Sequence, residues 1–124
     1  METFSQPDAD ALAAWFAQWA GLREWTLSVE AGVALPSWVK DGRDEELLGR
    51  TQVHEERRWA KIWIVWPHDD DGQPADWRHT LMHELVHVAQ FDVGLEAGYN
   101  VRAEWWIDQL ATLLLREYDR CPVS

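Results

Sequence analysis

Two histidines and a glutamate stand at His83, Glu84 and His87, inside the run DWRHTLMHELVHVAQ of residues 76–90. On a helix, side chains four apart differ by only about 40° in direction and about 6 Å in height, so both imidazoles leave one face. Nitrogen donors so placed suit two ligands of one tetrahedral Zn²⁺, and Glu84, beside the first of them, can reach a water on that metal. The chemistry such a trio allows is metal-assisted hydrolysis, with the carboxylate removing the proton of the attacking water.

A five-residue pattern arises by chance often enough that its surroundings must carry weight. Gly72 and Pro74 break the chain, Asp76 follows as an N-cap, and Leu81, Met82, Leu85, Val86 and Val88 supply the apolar side of a helix running to about residue 91. No Gly or Pro interrupts residues 76–92. The plainer alternative is a core helix with incidental histidines, and the coincidence of break, cap and apolar side speaks against it.

A catalytic zinc takes three protein ligands and keeps a position for water. No histidine follows His87, and the metzincin extension fails because Gln90 stands where its glycine would be and Val93 where its third ligand would be. The downstream candidates are therefore Asp92, Glu96, Glu104 and Asp108. Asp92 and Glu96 lie too near His87 to fold back without a dedicated turn. Glu104 falls 17 residues after His87, one turn into a second helix expected over 100–120, which a short loop can lay antiparallel to the first. Asp108 is one turn further on the same face, where it can accept the free ring N–H of a ligand histidine and fix its tautomer. Ala103 and Ala111 allow close helix approach, and Ile107, Leu110 and Leu114 are expected to pack. The competing reading of Glu104 and Asp108 is a solvated helix face.

His83-Glu84-x-x-His87 followed by Glu104-x-x-x-Asp108 resembles the gluzincin pattern of zinc metallopeptidases. The size and element order are similar to the single-domain minigluzincins and to small phage and bacterial zincin-like proteins. The resemblance covers residues 8–120 in element order, with its specific residues confined to 76–111. It implies Zn²⁺ held by His83, His87 and Glu104, with Asp108 supporting a ligand histidine. It implies Glu84 as general base, taking the water proton and passing it to the leaving amine, and a peptide or protein substrate laid along a sheet edge. Two departures stand out: the larger gluzincins carry a second subdomain with a transition-state histidine, for which this chain has no room, and no residue is marked by sequence as the oxyanion stabiliser. Tyr99, just before the glutamate helix, is a candidate donor to the oxyanion. His79, one turn before His83, is a candidate contact to substrate or product, and Arg102 a candidate partner for a substrate carboxylate.

The elements that must position these residues are readable in order. Residues 7–20 predict a helix with Leu12, Trp15, Phe16 and Trp19 at helical spacing and Gly21 as its stop; Trp15 and Trp19 are expected in the core. Residues 25–30 alternate as a half-buried strand, and 31–46 read as a loop. Residues 48–54 and 59–66 are two further strands, and the charged residues 55–58 connect them as a hairpin. The last strand is apolar on nearly both faces, which predicts partial cover on each. The acidic turn Asp69-Asp70-Asp71 lacks the alternate spacing of a calcium loop, and His54 and His68 receive no role. The expectation is an α+β fold: one zincin-like domain over residues 1–124, about three helices packed on a small antiparallel sheet of about three strands.

With 22 acidic against 11 basic residues, the formal net charge is −11. That excludes the electrostatic footprint of a nucleic-acid binder. No segment reads as a signal peptide or membrane span, and the single Cys121 leans towards a reducing compartment, so a cytoplasmic location is expected. Ten tryptophans in 124 residues give a small core much apolar area, and some are expected on a groove or partner surface. Oligomeric state is not legible. The second functional hypothesis is a catalytically silent, zinc-stabilised domain that binds a protein partner. The intact Glu84 argues against it, since a structural site needs the ligands and not the base. Cys121 as an inhibitory thiolate is the weaker alternative to a packing cysteine.

Overall fold

A computed structural model of the chain describes residues 4–32, 49–54, 56–65, 76–92 and 101–120. The elements are α1 (Gln6–Ala20), β1 (Thr26–Gly32), β2 (Gly49–His54), β3 (Trp59–Val65), α2 (Trp77–Asp92) and α3 (Val101–Arg120). They form the α+β architecture expected from the sequence, three helices with a three-stranded sheet. No described helix is long and apolar enough to cross a membrane.

Ser5 caps α1 by accepting the Asp8 N–H at 3.3 Å, and Gly21, in the left-handed region at φ 77°, ends it. Ala9, Leu12, Ala13 and Phe16 recur at helical spacing and are buried. Trp15 packs against the core as expected, and Trp19 departs from the core expectation. Trp15 is half-buried and meets Tyr118 of α3 edge-on at 5.4 Å, while Trp19 stacks on Trp15 and stays exposed. The apolar arc of α1 is narrower than its run of large residues suggested.

Strand order is β1-β3-β2. β2 and β3 pair antiparallel across the turn at 56–58, where Arg58 takes a positive φ of 52°. β1 pairs with β3 in parallel, so the sheet is mixed and the wholly antiparallel sheet expected from the sequence is corrected in this respect. The reason is physical. Alternation fixes which face a side chain takes, and a short turn fixes the sense of two consecutive strands, but the sixteen residues 33–48 leave both the partner and the sense of β1 open.

Three cross-strand rows line the core face of the sheet: Leu27, Ala60 and Val53; Val29, Ile62 and Thr51; Ala31, Ile64 and Gly49. On the other face of β3, Trp59, Trp63 and Val65 are half-buried and Lys61 is exposed over the Trp59 ring, so the strand is partly covered on both sides as its composition implied. Trp66, Leu48 and the acidic turn lie outside the described residues.

α2 is the central helix, in contact with α1, α3, β2 and β3. Asp76 caps it, its side chain accepting the N–H groups of Arg78 and His79 at 3.1 and 3.3 Å. Trp77, Leu81, Met82, Leu85 and Val88 are fully buried. From α3, Ile107, Ala111, Leu114 and Leu115 join the same core. Leu110, expected to pack with them, is instead 40% exposed.

Gly49 sets how closely α2 lies on β2. A Cβ there would sit 2.7 Å from Thr80 Cγ2, 3.2 Å from the Trp63 carbonyl oxygen and 3.3 Å from Glu84 Cγ. Gly49→Ala is therefore expected to destabilise the fold by about 1–3 kcal/mol through overpacking. Thr80→Ser, which removes the nearest methyl, is expected to recover part of that loss in the double variant; urea unfolding of the three proteins tests it. Equal stability of Gly49→Ala and the parent would show that α2 is free to shift.

Candidate metal centre

Contacts between α2 and α3 run in opposite order along the two helices. His87 meets Glu104, His83 meets Glu104 and Asp108, and Arg78 pairs with Asp119. The helices are thus antiparallel, and the first turns of α3 lie against the middle of α2. Small Ala111 at the buried contact permits this approach.

Three donor groups converge there. His83 Nε2 lies 2.8 Å from Glu104 Oε2, and His87 Nε2 lies 3.3 Å from Glu104 Oε1. One ligand atom from each of His83, His87 and Glu104 falls within 4.8 Å of the others. The other ring nitrogens are engaged on the far side: His83 Nδ1 lies 2.6 Å from Asp108 Oδ1, and His87 Nδ1 3.0 Å from Gln90 Oε1. A carboxylate and an amide oxygen only accept, so both Nδ1 atoms donate, and each Nε2 is turned towards Glu104.

Two imidazole nitrogens and a carboxylate facing one another offer three ligand atoms that could hold one metal ion among them. Donor atoms on a tetrahedral zinc lie about 3.3 Å apart, given bonds of roughly 2.0–2.1 Å. His87 Nε2 and Glu104 Oε1 stand at that spacing, while His83 Nε2 meets the other carboxylate oxygen at 2.8 Å. The donor set fits a zinc ion, and the histidine side chains are mostly covered while the carboxylates face outward.

Glu84 leaves α2 towards β2, where it accepts the Thr51 hydroxyl at 2.5 Å. Among the described residues its Oε2 takes no hydrogen bond. Among the described residues β2 is an edge strand of the sheet, so this carboxylate stands between the helix that bears the histidines and that edge. His79 does lie one turn before His83, but its Nε2 meets the Asp108 carbonyl at 3.2 Å, which makes it a tie between α2 and α3. Asp92 is drawn away to the other side, accepting Trp25 Nε1–H at 2.8 Å and Arg58 at 3.1 Å. Arg102 is exposed at the start of α3. Tyr99, Glu96, His68 and Cys121 lie outside the described residues.

Sequence reasoning missed two groups of this centre. Gln90 is three residues after His87, a helical spacing that signals contact. Thr51 carried no signal beyond its place on the same strand face as Gly49, since only the folded pairing of β2 with α2 brings it to Glu84.

The sequence matches no family model, no curated protein and no solved structure.

Proposed function

We propose that the chain is a zinc-dependent metallopeptidase of gluzincin-like type, working on peptide or protein substrates in the cytoplasm. The observation that carries this reading is the joint placement of His83 and His87 Nε2 on the two oxygens of Glu104, with Asp108 behind His83; Glu84, next to His83 on the same helix, is held by Thr51. His83, His87 and Glu104 would hold the metal. When bound, zinc supplies Lewis acidity, lowering the pKa of its water towards ~7 and polarising the scissile carbonyl.

The chain's own residues do the rest. Asp108 and Gln90 keep both imidazoles in the Nδ1–H tautomer, so that each offers Nε2. Thr51 occupies one oxygen of Glu84 and orients the other, which takes the proton of the attacking water and delivers it to the leaving amine. The edge position of β2 supports binding of an extended substrate segment by main-chain pairing.

The test is digestion of a complex peptide mixture, read by mass spectrometry, with the zinc-loaded protein, the chelator-stripped protein and the stripped protein given zinc again. Cleavage that disappears on stripping and returns with zinc supports the reading; zinc-independent cleavage overturns it. Thr51→Val keeps the side-chain shape but deletes the hydroxyl. It is expected to lower the cleavage rate about ten- to hundredfold by freeing the orientation of Glu84, while zinc content stays unchanged.

A further inference from the structure

The centre uses only one face of α3. The opposite face carries Trp105, Trp106, Leu110 and Leu113, which are 54%, 61%, 40% and 58% exposed, with the two indoles packed edge-on at 4.9 Å. Those fractions amount to about 450 Å² of apolar surface, within the ~300–600 Å² typical of a functional patch. A standard protein interface takes about 800 Å² from each partner, roughly 60% of it apolar, so Trp106, Leu110 and Leu113 supply a large part of that apolar share, with Trp105 flanking them.

The order of residues along the stripe says what fits it. Arg102, Trp106, Gln109, Leu110, Leu113 and Glu117 are arranged symmetrically about the midpoint between Gln109 and Leu110. Turning a second copy of the helix end for end about that midpoint sets Trp106 of each copy against Leu113 of the other. Gln109 and Leu110 then meet across the axis, where two glutamine amides can donate to and accept from each other. Arg102 of each copy faces Glu117 of the other, about 22 Å apart along one helix and so at the two rims of the contact. Glu117 lies at an exposed surface, within 3.8 Å of Arg120. An isologous two-fold contact requires self-complementarity of this kind: Trp106 meets Leu113 and Arg102 meets Glu117, while Gln109 and Leu110 lie side by side at the axis. The outward face of α3 also carries Arg102, Arg116 and Arg120, so this region escapes the strong acidity of the whole chain.

We infer that the exposed face of α3 is a homodimer interface, in which two copies pack antiparallel through Trp106, Leu110 and Leu113 with Arg102–Glu117 pairs at its rims. The metal-centre residues Glu104 and Asp108 point the other way along α3, towards α2. The inference thus stands apart from the proposed activity.

Sedimentation velocity on the zinc-loaded full chain over a range of concentrations tests it. The parent is expected to sediment as a dimer at tens of micromolar, since interfaces of this size range from micromolar to picomolar affinity. Trp106→Glu and Leu113→Glu are each expected to raise the dissociation constant more than about tenfold, with unchanged zinc content and circular dichroism. Arg102→Glu and Glu117→Arg should each weaken the dimer, and the exchange of both charges in one chain should restore it. A monomeric parent at the highest concentration overturns the inference. So does a dimer indifferent to the four substitutions. Floating the parent with phosphatidylserine-containing vesicles separates the rival occupant: monomeric protein that binds vesicles through Trp106 would make the face a lipid contact instead.

Discussion

Glu104→Ala is expected to weaken zinc binding by about a hundredfold or more, while Asp92→Asn leaves it unchanged. Loss of a partner that merely supports a ligand costs roughly ten- to a hundredfold in metal affinity, and loss of a ligand lies at or beyond the top of that range. Glu104 faces both histidine Nε2 atoms with separate oxygens, so its removal takes away the one anionic donor of the set. Asp108→Asn removes the charge behind His83 and is expected to fall between the two, near tenfold to a hundredfold. Asp92 is a carboxylate equally near in sequence but spent on Trp25 and Arg58, which makes it the matched control. Elemental analysis gives the stoichiometry, and competition against a chromogenic chelator gives the affinities. Glu104→Ala binding zinc as tightly as the parent would mean another third ligand. A parent that takes up no zinc when it is supplied would leave the cluster as a set of histidine–carboxylate ion pairs.

The parts of this centre that could be read from the sequence are those set by helical periodicity. Asp76, the apolar side of α2 and the spacing of His83, Glu84 and His87 are all properties of one helix, where position along the chain determines direction in space. Glu104 and Asp108 required one further step, that a short connection returns the next helix antiparallel, and the contacts between α2 and α3 agree with it. What escaped was set by non-local pairing. The parallel sense of β1 and the meeting of Thr51 with Glu84 depend on how strands associate, which alternation does not encode. Composition also misled about exposure. Trp19 and Leu110 occur at spacings that fit a buried arc, yet each falls just outside it, because an apolar stripe wide enough for a small helix layer ends within one residue of its centre row. The surplus apolar residues of α3 are therefore the part of the pattern that the fold of one copy does not absorb.

Glu84→Gln is expected to abolish cleavage, lowering the rate by about 10²–10⁴-fold, the usual contribution of a positioned general base. The substitution exchanges a carboxylate oxygen for an amide nitrogen of the same size. Its remaining oxygen can still accept the Thr51 hydroxyl, so the contact between α2 and β2 survives, and the Cγ beside Gly49 is unchanged. His83, His87 and Glu104 are untouched, so zinc content and melting temperature should match the parent. That separation gives the variant its value. Lost activity with retained zinc ties turnover to proton transfer at Glu84, whereas activity equal to the parent removes Glu84 from the mechanism. A parent that holds one zinc per chain yet cleaves no more of the peptide mixture than Glu84→Gln would turn the reading to its alternative: a zinc-stabilised module acting through its exposed tryptophans. In that case the metal would serve stability alone, and its removal would lower the unfolding free energy by the binding contribution, and the melting temperature with it, with no catalytic loss to accompany it.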